Sequence, residues 1–157
     1  MLRIALVLAA ALIAPASQAA DGPSPCGEFR TSWSGALRKV GLVKASPEFG
    51  APNKDGVEAI LGIDGVEGRF HCREGIVGML GLRAAEDSAK LEMAVASVLI
   101  GLDREMSAET AAAMAAALKA ESQGPKKEGM SPWGPYELVW TQQGATGARF
   151  VLNLPEN

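Results

Sequence analysis

The stretch VEAILGIDGVEGRFHCR, residues 57–73, decides how this chain folds. Apolar and other residues alternate on both sides of Asp64-Gly65, and a D-G pair between alternating runs is a strong short-range signal for a β-hairpin. With those two residues as the turn, Ile63 is expected opposite Val66, Leu61 opposite Gly68, Ala59 opposite Phe70 and Val57 opposite Cys72. One face then holds Val57, Ala59, Leu61, Ile63, Val66, Phe70 and Cys72, and reads as the core side. The other holds Glu58, Ile60, Glu67, Arg69, His71 and Arg73.

Downstream, Glu74-Gly75 repeats the turn chemistry, and Ile76 to Arg83 is expected as a third strand. Its period is mixed, with Ile76, Leu80 and Leu82 on one face and Val77 and Met79 on the other, the pattern of a central strand covered on both sides. Between Glu86 and Leu102, the spacing of Leu91, Val95, Val98, Leu99 and Leu102 predicts a helix. Ser107 opens another, with Glu109 in its positive first turn and Gly124-Pro125 as the stop. Ala111 to Leu118 is almost all alanine with Met114, a strong helix former that presents a thin surface for close packing. Residues 124–135 read as a Gly/Pro/Lys loop containing Trp133, before a hairpin of Tyr136–Gln142 and Ala148–Leu154.

Upstream, Phe29, Trp33, Leu37 and Val40 recur at helical spacing and predict an amphipathic helix ending near Gly41. Residues 44–56 are turn-rich. The order α-β-β-β-α-α-β-β segregates strands from helices. It implies a small single α+β domain, an antiparallel sheet with helices packed on one face.

Residues 1–20 have the pattern of a secretory signal peptide: Arg3, an apolar run from Ile4 to Ile13, then Pro15 and small residues up to Ala19 and Ala20. The run is too short to span a bilayer, which takes roughly 20 apolar residues. The expectation is therefore cleavage after Ala19 or Ala20, leaving residues 21–157 as one domain in the periplasm or secreted, without membrane insertion. Without Arg3, 14 basic residues remain against 18 acidic, a net charge of −4. The charges are scattered along the chain with no basic stripe, which argues against nucleic acid as a partner. Cys26 and Cys72, an even pair in an oxidising compartment, are expected to form one disulfide.

The chemistry-bearing residues are sparse. His71, the single histidine, is expected opposite Glu58, so a small hydrolase with that pair as general base is one reading. No serine sits in G-x-S-x-G or S-x-x-K. One histidine and two oxidised cysteines do not make a zinc site. A hard cation such as calcium or a lanthanide needs only oxygens, and Asp55, Glu58, Asp64 and Glu67 lie on or beside the first hairpin. Asn53-Lys54-Asp55-Gly56 followed by Glu58 resembles the middle of an EF-hand loop, but Ala51 and Gly62 occupy its first and last positions. A metal-bridged homodimer would complete such a site. Gly62, Gly65, Gly68, Gly75, Gly78 and Gly81 read as turn and bulge glycines, outside any phosphate-cradling pattern. Trp133, between prolines, either anchors a protein interface or folds back over the helices. The leading expectation is a non-enzymatic exported accessory or binding protein. Its periplasmic partner would be met by Trp133 or by Arg69 and His71 on the charged hairpin face. A hard-cation binder and a hydrolase are the alternatives.

Overall fold

A computed structural model describes residues 22–86 and 88–156. The leader expected over residues 1–20 lies outside the described residues. The elements run α1 (Cys26–Lys39), β1 (Glu48–Phe49), β2 (Val57–Leu61), β3 (Glu67–Arg73), β4 (Ile76–Ala84), α2 (Ser88–Leu102), α3 (Ala108–Ser122), β5 (Glu128–Trp133), β6 (Tyr136–Gln143) and β7 (Gly147–Asn153). All seven strands form one antiparallel sheet in the order β1-β2-β3-β4-β7-β6-β5. The α+β class and the order of the eight expected elements stand. No helix among the described residues is long and apolar enough to cross a membrane.

Both additional strands, β1 and β5, are the edges of the sheet. Neither has the alternation that betrays a strand, and β5 carries Pro132, which lacks an N–H and is tolerated only at an edge. The segment expected as a loop over 124–135 is thus largely β5. It joins β6 through Gly134-Pro135, with Trp133 paired to Tyr136 and Gly134 at φ +57, the first central position of a tight hairpin turn.

The first hairpin turns at Asp64-Gly65 as expected. Val66 N donates to the Ile63 carbonyl at 3.0 Å, and Gly65 takes φ +74. The register, however, is shifted by one: Val57 pairs with His71, Glu58 with Phe70, Ala59 with Arg69 and Ile60 with Gly68. The extra residue is Gly62, at φ +83, where the Ser46 amide donates to its carbonyl at 3.0 Å. A Cβ at position 62 would collide with the Ser46 carbonyl oxygen, so only glycine fits this bulge. A one-residue slip turns a whole strand over. Glu58 and Ile60 therefore face the core, while Ala59 and Leu61, expected inside, face out. On β3, Phe70 and Cys72 keep their expected inward side.

The mixed period of β4 has the same kind of cause. Cys72 pairs with Val77 and His71 with Met79, which leaves Gly78 as an inserted residue. Val77 thereby joins Leu80 and Leu82 in the core, rather than Met79 outside. β4 is the fourth of the seven strands, but the described helices cover only one of its faces, and the mixed period comes from the Gly78 insertion rather than from cover on both sides.

Among the described residues, three helices tile the inner face. α1 sets Phe29 on Phe70 (ring centroids 5.7 Å apart) and Trp33 on Phe49 (6.0 Å), covering the β1–β3 half. Its end is closed by Gly41 at φ +93, with Gly41 N on the Arg38 carbonyl and Leu42 N on the Leu37 carbonyl. That paired arrangement satisfies the last carbonyls of the helix. α2 lies over β4 and β7 between its two neighbours, and ten of its residues from Leu91 to Leu102 are buried. The indole Nε1 of Trp33 donates to Ser97 Oγ at 2.8 Å, which satisfies a buried donor where α1 meets α2. α3, capped by Ser107 Oγ accepting from Thr110 N at 3.0 Å, lies over β5 and β6. Its alanines allow the close approach read from sequence: a Cβ on Gly129 of β5 would strike the Leu118 carbonyl oxygen. The disulfide between Cys26 and Cys72 ties the start of α1 to β3.

Candidate functional site

The helices leave the other face of the sheet uncovered by the described chain. Alternation along β3, β4 and β7 sends Glu67, Arg69 and His71, then Met79, Gly81 and Arg83, then Arg149, Val151 and Asn153 to that face. The pairings place Arg83 directly opposite Arg149, and Arg69 opposite Gly81, one diagonal step from Arg83. Three exposed arginines thus stand on adjacent central strands. Between them is a hollow of about 320 Å³, lined also by Met79, Gly81, Glu67 and Gln143. Gly81 adds no side chain to its floor, where a Cβ would meet nothing nearer than 3.9 Å.

Like charges placed directly across an antiparallel ladder repel, at a cost of a few tenths to about 1 kcal/mol. All three arginines are exposed, so solvent screens part of this repulsion, but no close carboxylate cancels it. Arg83 has only Glu67, at 4.0 Å and largely exposed, while Arg69 and Arg149 have no ion-pair partner among the described residues. Elsewhere, Arg30, Arg73, Lys90, Arg104 and Lys119 each meet a carboxylate within 3.5 Å. The chain is acidic overall, so the cluster is a local positive field against the general charge. Guanidinium forks match the oxygens of carboxylates and phosphates, and what this arrangement can do chemically is hold an anion.

Of the residues singled out in the sequence, Arg69 lies at this site and His71 on the same open face, across from Val57 rather than Glu58. The His71 ring lies against Gly56, whose added Cβ would be 3.3 Å from Nε2. Glu58 is on the opposite side of the sheet. There Arg30 grips it with Nη–O distances of 2.7 and 2.8 Å, and the same guanidinium sits 4.5 Å from the Phe49 ring and 4.8 Å from that of Phe70. The register shift therefore separates the histidine from its expected carboxylate.

The carboxylates expected to share a cation are also dispersed. Asp55 is in the turn capped by Asn53 Oδ1, Glu58 is inside, Asp64 pairs with Lys90 at 3.3 Å, and Glu67 faces Arg83. Among the described residues, no three His, Cys, Asp or Glu side chains come together to hold a metal. Trp133 folds back: it is 5 % exposed on the inner side of β5, its ring 6.2 Å from that of Tyr136. Burial pushes the Tyr136 hydroxyl above its ordinary range, against the hydrogen bond it accepts from Ser24 N at 2.8 Å, which pulls the other way.

Nothing in the local sequence marks Arg83, Arg149 or Gly81 as a site residue. Their strand periods were legible, but their juxtaposition depends on β4 pairing with β7 across two intervening helices and two strands, and no local signal announces that pairing. Compared with protein-family models, with curated proteins and with solved structures, the chain gives no match.

Proposed function

We propose that this is an exported binding protein of the periplasm, without catalytic activity, that holds an anionic ligand on the open face of its sheet. The observation that carries the reading is the direct opposition of Arg83 and Arg149, with Arg69 beside them, around the glycine-floored hollow. Conflicts of this kind in an otherwise consistent fold mark functional positions. A bound anion turns the repulsion into attraction. The leader-like first twenty residues support export, and the Cys26–Cys72 disulfide is compatible with an oxidising compartment. The separation of His71 from Glu58 supports binding over general-base chemistry.

The test is a melting comparison in sodium phosphate and sodium chloride at equal ionic strength, for the native protein and the Arg83→Gln/Arg149→Gln variant. At phosphate tenfold above Kd, linkage adds about 1.4 kcal/mol, or about 5 °C for a domain of this size. Phosphate also stabilises proteins generally by exclusion, so the difference between the two proteins is the readout. The native protein should gain about 5 °C more than the variant, and the variant should be no less stable in chloride. An equal gain in both would contradict the reading.

A further inference from the structure

We infer that the ligand is a phosphate monoester carrying an apolar body, an inference that rests on the anion-binding reading above. Two features of the open face lead to it. The first is charge. Three arginines and Glu67 around the hollow leave a net of two positive charges. A phosphate monoester carries about −1.5 to −2 at pH 7 and presents three acceptor oxygens, whereas a carboxylate carries one charge and two oxygens. The dianion balances the hollow and can engage three forks together.

The second feature is the row of residues beside the arginines. Across the sheet, Gly81 pairs with Val151, Val151 with Val139 and Val139 with Met130, all on the open face. This row is an uncharged lane from β4 to β5, about 14 Å long at the usual strand spacing. Its two valines are half-buried, and Met130 at its end is 47 % exposed, one of few large apolar side chains so exposed among the described residues. The flanking rows hold Arg149, Thr141 and Glu128 on one side and Met79, Asn153, Glu137 and Pro132 on the other, so the lane is bordered mainly by polar groups. A methionine suits the floor of such a site because its unbranched thioether adapts to the shape laid on it. An ester whose phosphate occupies the hollow lays its apolar part along this lane.

The experiment is calorimetric titration of the full exported chain with linear monoalkyl phosphates from ethyl to decyl, kept below self-association, alongside alkyl carboxylates of matched length. Affinity should rise two- to fourfold per methylene, fourfold being the limit for complete burial. Phosphates should bind at least tenfold more tightly than carboxylates of the same length. Val139→Asn should flatten the dependence on chain length. Equal affinity for ethyl and decyl phosphate in the native protein would overturn the apolar body while leaving the anion site standing. Carboxylates binding as tightly as phosphates would overturn the dianionic head. Failure of every phosphate, inorganic phosphate included, would overturn this inference and the anion-binding reading together.

Discussion

Replacing Cys26 and Cys72 together by alanine is expected to lower the free energy of unfolding by about 4 kcal/mol. The bond closes a loop of 46 residues that contains α1, β1, β2 and most of β3. Its main contribution is to restrict the unfolded chain, and loop-closure entropy for that length gives the figure quoted. In the folded protein the lead-in stays anchored without the bond. Cys26 N donates to the Gly75 carbonyl at 2.9 Å and Val77 N to that of Ser24 at 2.8 Å. The variant should therefore fold to the same structure with a lower midpoint in urea. A larger m-value should accompany it, because its unfolded state exposes more surface. The native protein kept in reductant should match the variant. A loss below about 1 kcal/mol would mean that the cross-link contributes little beyond those hydrogen bonds.

The second large effect comes from the register of the first hairpin. Ile60→Ala is expected to cost 2–5 kcal/mol, the range for removing a fully packed aliphatic side chain. Ile60 is 3 % exposed and lies so close to Gly68 that a Cβ there would be 2.6 Å from the Ile60 Cβ. Leu61→Ala, one position on, is expected to change stability by no more than about 0.5 kcal/mol, since Leu61 is 58 % exposed on the other face. The alternation of the sequence alone implies the reverse ranking. Urea unfolding of the two variants decides between the registers. A costly Leu61→Ala with a neutral Ile60→Ala would restore the pairing of Leu61 with Gly68.

That contrast shows what was legible and what was not. Turn chemistry at Asp64-Gly65, the periodicity of Phe29, Trp33 and Leu37, the stop at Gly41, the cap at Ser107 and the cysteine pair were all readable. Each is a local signal that the fold obeys. Gly62 misled because its role depends on Ser46, sixteen residues upstream, whose amide and carbonyl crowd it into a bulge. A glycine before a D-G turn looks the same in sequence whether it pairs or bulges, yet the two choices send Glu58 to opposite faces. Gly78 hid the faces of β4 in the same way. The edge strands leave no signal in the sequence because pairing with β2 and β6, not side-chain pattern, makes them strands.

The site follows the same division. Arg69 stood out on a legible hairpin, but Arg83 and Arg149 are 66 residues apart, and only the β4–β7 ladder sets them opposite one another. Charges that are scattered along the chain are thus gathered by the sheet. Gly81 reads as one more bulge glycine, while in the fold it is regularly paired with Arg69 and Val151 and adds no side chain to the hollow.

The most direct measurement is an NMR titration of the arginine side-chain Nε–Hε signals with inorganic phosphate at constant ionic strength. The signals of Arg69, Arg83 and Arg149 should move together and saturate at one midpoint, while those of Arg38 and Arg104, away from the open face, stay in place. If all arginines drift in parallel without saturation, or those three do not respond, the open face is no anion site.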